Sequence, residues 1–401
     1  MASSEEEWND PFAALNEPFA GLNKMDFELH GIYMDHEPEN EFVSTLDKCK
    51  DNFLNVLLND ANLRNARSTC KVSVINNPDG KSYFHIFYTR FKALTSGCRK
   101  VIGLDGCFLK GEVKAWAVVD VENKPNWTWF LELIHDDLML DGGRGLVIIS
   151  DQHKCLLEAV KDILLHVEHK QCARHIYANF KKAYTGLEFK RIFWASAMSC
   201  VEGDFKKHMG EIKKLNPSAY EYLMSKQPRT WCRAFFTPGF ACEAVENGIS
   251  ECFNSILIEA RKKPLITMLE EIRIYIIDRF FHITDKCNKW MSNVCPDVLK
   301  KMNLFGKYMR FWMVIHSQGS VFEARFNYES FKVDLEARTC TCRLWDLFGI
   351  PCVHANAAIN YIHKTADGYI NECFSKDRFI ECYKSNIMPV NGSNLWEQTP
   401  F

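Results

Sequence analysis

The sequence has no apolar run of about 18 residues, the length that a membrane-spanning helix needs. Its start, Met-Ala-Ser-Ser-Glu-Glu-Glu, is acidic and polar, so no apolar signal segment is expected. Without such a signal, its seventeen cysteines are expected in a reducing compartment, as metal ligands or small buried hydrophobes. We therefore predict that the protein has no membrane partner.

An excess of positive charge is lacking as well. There are 49 Lys and Arg against 51 Asp and Glu, which gives a net charge of −2. Proteins that bind nucleic acids are often basic overall, so any contact with DNA would have to come from local clusters. The basic residues at 181–182, 206–207 and 261–263 are candidates, although such clusters can also be ordinary solvated helix faces.

The sequence contains neither an internal repeat nor a low-complexity tract, and its periodicity indicates an α/β protein. Short apolar runs at 99–105, 116–122 and 146–151 have the character of strands, and helical patterns follow the last two. Strands that alternate with helices predict a mixed or parallel sheet covered on both faces. The aromatic-rich segment 83–94 is expected to be helical.

Four potential metal ligands near the C-terminus constrain the chemistry most tightly. Cys340 and Cys342 are followed, after nine residues, by Cys352 and His354. A Gly349-Ile-Pro turn between the pairs would bring the second pair back onto the first. Three thiolates and one imidazole suit tetrahedral Zn²⁺, and four protein ligands leave no open position for catalysis. We therefore predict a structural zinc module.

Two aspartates follow apolar runs in the α/β part of the chain. Asp105 and Asp151 would lie at the carboxyl edge of the sheet, where α/β folds bind ligands. If their strands are neighbours, the two carboxylates would repel each other unless a divalent cation such as Mg²⁺ neutralised them. The alternative is that each aspartate only forms a turn or caps a helix.

The spacing of the zinc ligands resembles the SWIM-type zinc finger found in plant Mutator-like element (MULE) transposases. Segments 101–111 and 148–154 are similar to the motifs of that family around its first and second aspartates. The Cys-x-x-His pair of Cys172 and His175 and the segment 247–255 also resemble family motifs. The resemblance covers roughly residues 71–398.

The resemblance implies an RNase H-like mixed sheet with a helical insertion before a third acid, which would be Glu251. It further implies metal-assisted cleavage and transfer of DNA strands, with Mg²⁺ bound by Asp105, Asp151 and Glu251. Cys172 and His175 could form half of a metal site or pack beside the acids. His153, His166 and His169 are expected to be solvated or to cap helices.

The chain departs from the family after Lys110. Where the family has a strand and a turn, residues 111–116 run almost directly into the strand predicted at 116–122. By this resemblance, one strand of the hairpin after Asp105 is missing. The remaining strand could pair antiparallel with the Asp105 strand, at the cost of a changed register. We therefore expect weak or absent catalysis.

These observations favour a zinc-binding, DNA-binding nuclear protein derived from a Mutator-like transposase, with a degraded strand-transfer site. An active metal-dependent transposase and a domesticated transcription regulator are the alternatives. DNA and another copy of the chain are the expected partners. The expected organisation is a disordered acidic tail (1–40), an N-terminal α+β segment (41–97), the first part of the core (98–180), a helical insertion (181–250), a helical completion of the core (251–315), the zinc finger (320–375) and a C-terminal tail (376–401).

Overall fold

The structure is a computed structural model that describes residues 27–33, 69–76, 82–89, 100–108, 115–119, 121–247, 263 and 265–383. Glu251 and most of the predicted C-terminal tail lie outside these residues. None of the helices described combines the length and the apolar character that a bilayer crossing requires.

The described residues form eleven strands and eleven α-helices. The strands are β1 (Phe27–Tyr33), β2 (Thr69–Asn76), β3 (Ser82–Thr89), β4 (Val101–Phe108), β5 (Ala115–Val119), β6 (Val147–Ser150), β7 (Glu168–Gln171), β8 (Met313–Gln318), β9 (Val321–Phe326), β10 (Glu329–Asp334) and β11 (Thr339–Cys340). The helices are α1 (Lys124–Asp137), α2 (Lys154–Ile163), α3 (Ala173–Phe180), α4 (Leu187–Met198), α5 (Glu202–Leu215), α6 (Pro217–Ser225), α7 (Leu265–Asn288), α8 (Pro296–Met309), α9 (Leu344–Phe348), α10 (Val353–Tyr361) and α11 (Lys376–Tyr383).

The first seven strands form one mixed sheet in the order β2-β3-β5-β1-β4-β6-β7. Strands β4, β6 and β7 are parallel neighbours, whereas β2 and β3 form an antiparallel hairpin that joins the sheet through β5. All four residues of β6 are buried. A strand that is apolar on both sides suits a sheet with both faces covered, so the predicted mixed sheet is confirmed.

The strand beside β4 is not the one expected from the sequence. Strand β1 lies between β4 and β5 and runs parallel to both, so β5 does not pair antiparallel with β4. The prediction of a repaired hairpin is therefore wrong. Strand β1 also falls within the segment predicted to be a disordered tail. Its opening Phe-Glu-Leu-His alternates between apolar and polar residues, as strands do.

The aromatic-rich segment after residue 82 is a strand rather than the expected helix. Residues Ser82–Thr89 form β3, which pairs antiparallel with β2 from Asn76↔Ser82 to Thr69↔Thr89. Aromatic and β-branched residues favour strands, and the Asn-Pro-Asp-Gly sequence at 77–80 separates the two strands. Tertiary pairing in a hairpin therefore decides the conformation of this segment.

The two faces of the large sheet have different covers. On one face, α1 and α2 pack against Leu104 and Ile148, and Trp127 and Phe130 are buried among them. On the other face, the irregular segment 240–244 packs against β4 and β6.

Cys382 of α11 packs against the helices on the first face and is disulfide-bonded. This differs from the expectation that the thiols stay reduced.

The C-terminal half shares a single hydrophobic core. Helices α3 to α8, the antiparallel sheet β11-β10-β9-β8, and α10 all contribute side chains to it. At its centre, Trp231 stacks on Phe193 with ring centroids 5.5 Å apart. The predicted helical insertion is helical as far as Ser225 and then continues as short 3₁₀ turns and extended chain. The zinc-type cluster thus belongs to the same folded unit as the insertion.

Candidate functional site

The four predicted zinc ligands converge in the structure. The ligand atoms of Cys340, Cys342, Cys352 and His354 all lie within 4.8 Å of one another, and all four residues are buried. His354 Nδ1 is 3.6 Å from Cys340 Sγ and 3.7 Å from Cys352 Sγ. A tetrahedral zinc ion with ordinary Zn–S and Zn–N distances separates N and S ligand atoms by about 3.6 Å. The cluster therefore fits Zn²⁺.

Local backbone structure explains how the two ligand pairs meet. Cys340 ends β11, and Cys352 is the N-cap of α10, whose Ala355 N–H donates to Cys352 Sγ at 3.5 Å. Between the pairs, Arg343 (φ +64°) and Gly349 (φ +70°) reverse the chain on either side of α9. The turn predicted at Gly349 is therefore confirmed.

Aromatic rings fix the imidazole of His354. Phe331 stacks on it at 4.1 Å between ring centroids, and Trp312 meets it edge-on at 4.2 Å. The backbone N–H of Cys340 donates to Asp346 Oδ2 at 3.1 Å. Groups that surround metal ligands set their orientation and affinity, so these contacts hold the ligands ready for the metal.

The thiols of the cluster differ in acidity. Burial raises the pKa of Cys342 well above its ordinary value. The pKa of Cys352 lies well below its ordinary value, because hydrogen bonds from Cys340 and Cys342 and the charge of His354 outweigh the effect of burial. Zinc binds thiolates, so a cluster that already favours one thiolate suits this metal.

The two predicted acids lie on neighbouring parallel strands. The register of β4 and β6 ends at Leu104↔Ser150, so Asp105 and Asp151 are the next residue on each strand. Neighbouring strands are about 4.8 Å apart. Strand β4 continues to Phe108, so Asp105 lies within a strand rather than at its end. The sheet therefore brings the two positions together.

Asp151 also makes the turn contact that the alternative interpretation expects. Its Oδ1 accepts a hydrogen bond from the backbone N–H of His153 at 3.0 Å, just before α2. This bond orients the partly buried carboxylate at the carboxyl end of β6. A turn role and a metal role are therefore compatible at this residue.

Two family models match the chain. The MULE transposase domain matches residues 110–179, and the SWIM zinc finger matches residues 331–363. The chain is therefore similar to MULE transposases in one segment and to SWIM zinc fingers in another. The first match includes Asp151 and the Cys172–His175 pair but starts after Asp105, and the second contains all four zinc-type ligands. No curated protein matches the chain.

The Cys-x-x-His pair within the MULE-like segment lies beside the acid positions. Cys172 is fully buried, its N–H donates to Ser150 O at 2.7 Å, and its Sγ accepts from the Asn247 N–H at 3.2 Å. Burial raises the pKa of the Cys172 thiol to about 11. Among the described side chains, the SWIM cluster is the one group of three or more potential metal ligands. These contacts support packing rather than metal binding for Cys172.

Two residues that were not predicted to do so support the acid positions. The Asn247 side chain is buried and donates to Leu104 O at 3.2 Å, one residue before Asp105. His169 Nε2 lies 2.7 Å from Ser150 Oγ, one residue before Asp151. Burial lowers the pKa of His169 to about 4. The expectation that His169 is solvated or caps a helix is therefore wrong. Asn247 is the first residue of the segment 247–255 that resembles a family motif, and this resemblance could have indicated its role.

The SWIM module of the protein is bound firmly to the helical insertion. The guanidinium of Arg343 donates to three backbone carbonyls, those of Cys200 (3.0 Å), Ala234 and Phe236 (2.6 Å). The N–H of Gly239 donates to Asp346 O at 3.1 Å. The loop between the two ligand pairs is thus a docking surface as well as a turn.

Proposed function

We propose that this protein is a transposase-derived, zinc-binding nuclear protein that binds DNA through an RNase H-like core and retains only a degraded strand-transfer site. One observation carries the proposal. The β4–β6 register keeps Asp105 and Asp151 adjacent, while β1 occupies the place beside β4. Two positions of the expected metal site are thus neighbours in an altered sheet, which supports the proposal.

Asp105, Asp151 and Glu251 would hold Mg²⁺. Carboxylate-bearing residues at neighbouring strand positions suit a divalent cation, which offsets their negative charge. Bound there, Mg²⁺ would stabilise charge on the oxygens of a phosphodiester. The hydrogen bond from His153 to Asp151 keeps one carboxylate oriented towards that edge. The four ligands of the SWIM module leave no open position on Zn²⁺, so its role is structural.

The arrangement of strands supports the loss of catalysis. In an RNase H-like core the strand that follows the first acid pairs antiparallel with the acid strand. In this protein β5 is separated from β4 by β1 and is parallel to it. A displacement of about 1 Å at a catalytic group can lower the rate about 10²-fold. A sheet rearranged next to Asp105 is therefore expected to support little strand transfer.

An active transposase is the second candidate, and the intact β4–β6 register favours it. A role as a transcription regulator stays a prediction from the resemblance alone. The first two candidates differ in whether DNA is cleaved, and both include DNA binding.

The test uses the zinc-loaded full chain and duplex DNA. Fluorescence anisotropy should show binding that weakens as salt rises, because contacts with phosphates release counterions. Incubation with Mg²⁺ should give no cleavage above that of Asp151→Asn. Asp141→Asn is the matched control, because Asp141 is an exposed acid paired with Arg144 in a loop.

Two results would contradict the proposal. Absence of DNA binding at low salt would remove the DNA-binding function. Mg²⁺-dependent cleavage that Asp151→Asn abolishes and Asp141→Asn preserves would instead establish the active transposase.

A further inference from the structure

Residues 233–247, which we call the connecting segment, lie between the zinc module and the acid positions. The segment starts in a short 3₁₀ turn, Arg233–Phe235, and continues as irregular chain up to Asn247. Backbone outside helices and strands has no regular hydrogen-bond ladder, so its polar groups need other partners. The partners of this segment therefore determine where it lies.

The zinc module supplies the partners at the first end. Arg343 donates to the carbonyls of Ala234 and Phe236, and the Gly239 N–H donates to Asp346 O. Gly349 packs so closely here that a Cβ on it would lie 2.9 Å from the Cβ of Ala241. Arg343 and Asp346 both lie between the two pairs of zinc ligands. Their positions therefore depend on how the loop between the ligand pairs closes.

The large sheet supplies the partners in the middle. Cys242 and Ala244 pack against the faces of β4 and β6. The buried ammonium of Lys170 on β7 donates to Cys242 O at 3.1 Å and lies 3.9 Å from the centroid of the Phe236 ring. These contacts connect the middle of the segment to the strands that carry the acids.

At the second end the segment reaches both acid positions. Val245 O accepts the Ala173 N–H at 2.7 Å, and Asn247 N–H donates to Cys172 Sγ at 3.2 Å. The Asn247 side chain donates to Leu104 O, next to Asp105. Cys172 N–H in turn donates to Ser150 O, next to Asp151. One residue thus links the backbones that precede the two acids.

We propose that Arg343 and Asn247 are positioning residues through which the zinc module holds the acid edge in its metal-binding arrangement. Loss of the Arg343 contacts loosens the connecting segment, moves Asn247 and weakens the binding of divalent cations at Asp105 and Asp151. The inference rests on the proposed function, because it assumes a cation site at that edge. A continuous path of contacts suggests coupling, and only a measured coupling establishes it.

The experiment measures Mn²⁺ binding by calorimetry in the zinc-loaded full chain. Arg343→Met should retain its zinc and bind Mn²⁺ between about two- and thirtyfold more weakly than the unmodified protein, the usual range for indirect coupling. Arg343→Lys, which can still donate to a carbonyl, should recover part of the loss. Arg325→Met is the matched control, because Arg325 is an exposed arginine of the zinc-bearing sheet paired with Glu323 at 3.1 Å.

Amide hydrogen exchange gives a second measurement that does not depend on the cation. Exchange at residues 239–247 should be faster in Arg343→Met than in Arg325→Met. If the unmodified chain binds no Mn²⁺, the cation site of the proposed function is refuted, while the exchange result still tests the connection. If Arg343→Met keeps its zinc and matches Arg325→Met in both measurements, the inference is overturned.

A second variant covers the case in which Arg343→Met loses zinc or fails to fold. Asn247→Ser removes the bond to Leu104 O far from the zinc ligands. It should keep full zinc content and bind Mn²⁺ more weakly. Unchanged Mn²⁺ affinity in this variant would also refute the proposal.

Discussion

Gly349→Ala adds only one methyl group but should lower the free energy of unfolding strongly. Gly349 has φ +70°, in the left-handed region that favours glycine. A Cβ at this position would lie 2.9 Å from the Cβ atoms of both Ala241 and Asn371, and 3.5 Å from Cε2 of Phe374. Ala241 belongs to the connecting segment, so the added methyl group would push the zinc loop away from the insertion.

The magnitude has two parts. A left-handed conformation costs a non-glycine residue roughly 1–2 kcal/mol. Overpacking a core by a methyl group costs about 1–3 kcal/mol. We therefore expect the free energy of unfolding to fall by about 2–5 kcal/mol. Gly319 offers a matched control, since it has φ +57° and open space where a Cβ would be. Gly319→Ala should show only the first part.

Equilibrium unfolding in urea, at a fixed concentration of free zinc, measures both variants, because a bound metal adds to apparent stability. Tryptophan fluorescence is a suitable signal, since Trp312 packs on His354 and Trp231 lies in the shared core. Gly349→Ala should lose about 1–3 kcal/mol more than Gly319→Ala. Equal losses in the two variants would show that the zinc loop does not press on Ala241 and Asn371, and would refute the docking described here.

Three further predictions concern the metal, pH and the aromatic contacts of the ligands. Cys352→Ser should bind less zinc and lose cooperative unfolding, whereas Cys155→Ser, at a partly buried cysteine on α2, should keep one zinc per chain by metal analysis. Because the pKa of His169 is about 4 when folded and near 6.5 when unfolded, the unfolded chain binds the extra proton between these values. The free energy of unfolding should therefore rise between pH 4 and 6.5 by at most about 3 kcal/mol. Urea titrations should show a smaller rise for His169→Gln. The control His166→Gln, at an exposed position, should keep the full rise. Phe331→Leu removes the ring stacked on His354, so this variant should lose zinc to a competing chelator faster than the control Phe326→Leu. Phe326 is a partly buried ring elsewhere in the same sheet.

The zinc cluster could be predicted from the sequence because all of its information is local. The four ligands fall within residues 340–354, and the glycine turn between them closes the loop. That the two acid positions are neighbours follows from a related pattern, since each comes after a short apolar run typical of a strand, although Asp105 lies within β4 rather than at its end. Neither prediction required knowledge of distant contacts.

The features that were missed depend on distant parts of the chain. Strand β3 has the composition of a strand, but it is the pairing with β2 that makes the segment a strand rather than a helix. Strand β1 enters the sheet between strands that lie more than 60 residues away in sequence. The roles of Arg343 and Asn247 come from carbonyl groups that only tertiary structure brings near them. Periodicity carries no information about such partners.

The unbroken core between the insertion and the zinc-bearing sheet limits how the finger can be transplanted. A fragment cut to residues 331–363 would carry every ligand. It would leave behind Trp312, which covers the imidazole, and the carbonyl groups that receive Arg343. The fragment would then expose apolar surface that the shared core covers in the whole chain. We therefore expect residues 331–363 alone to be less stable than the same residues within the whole chain.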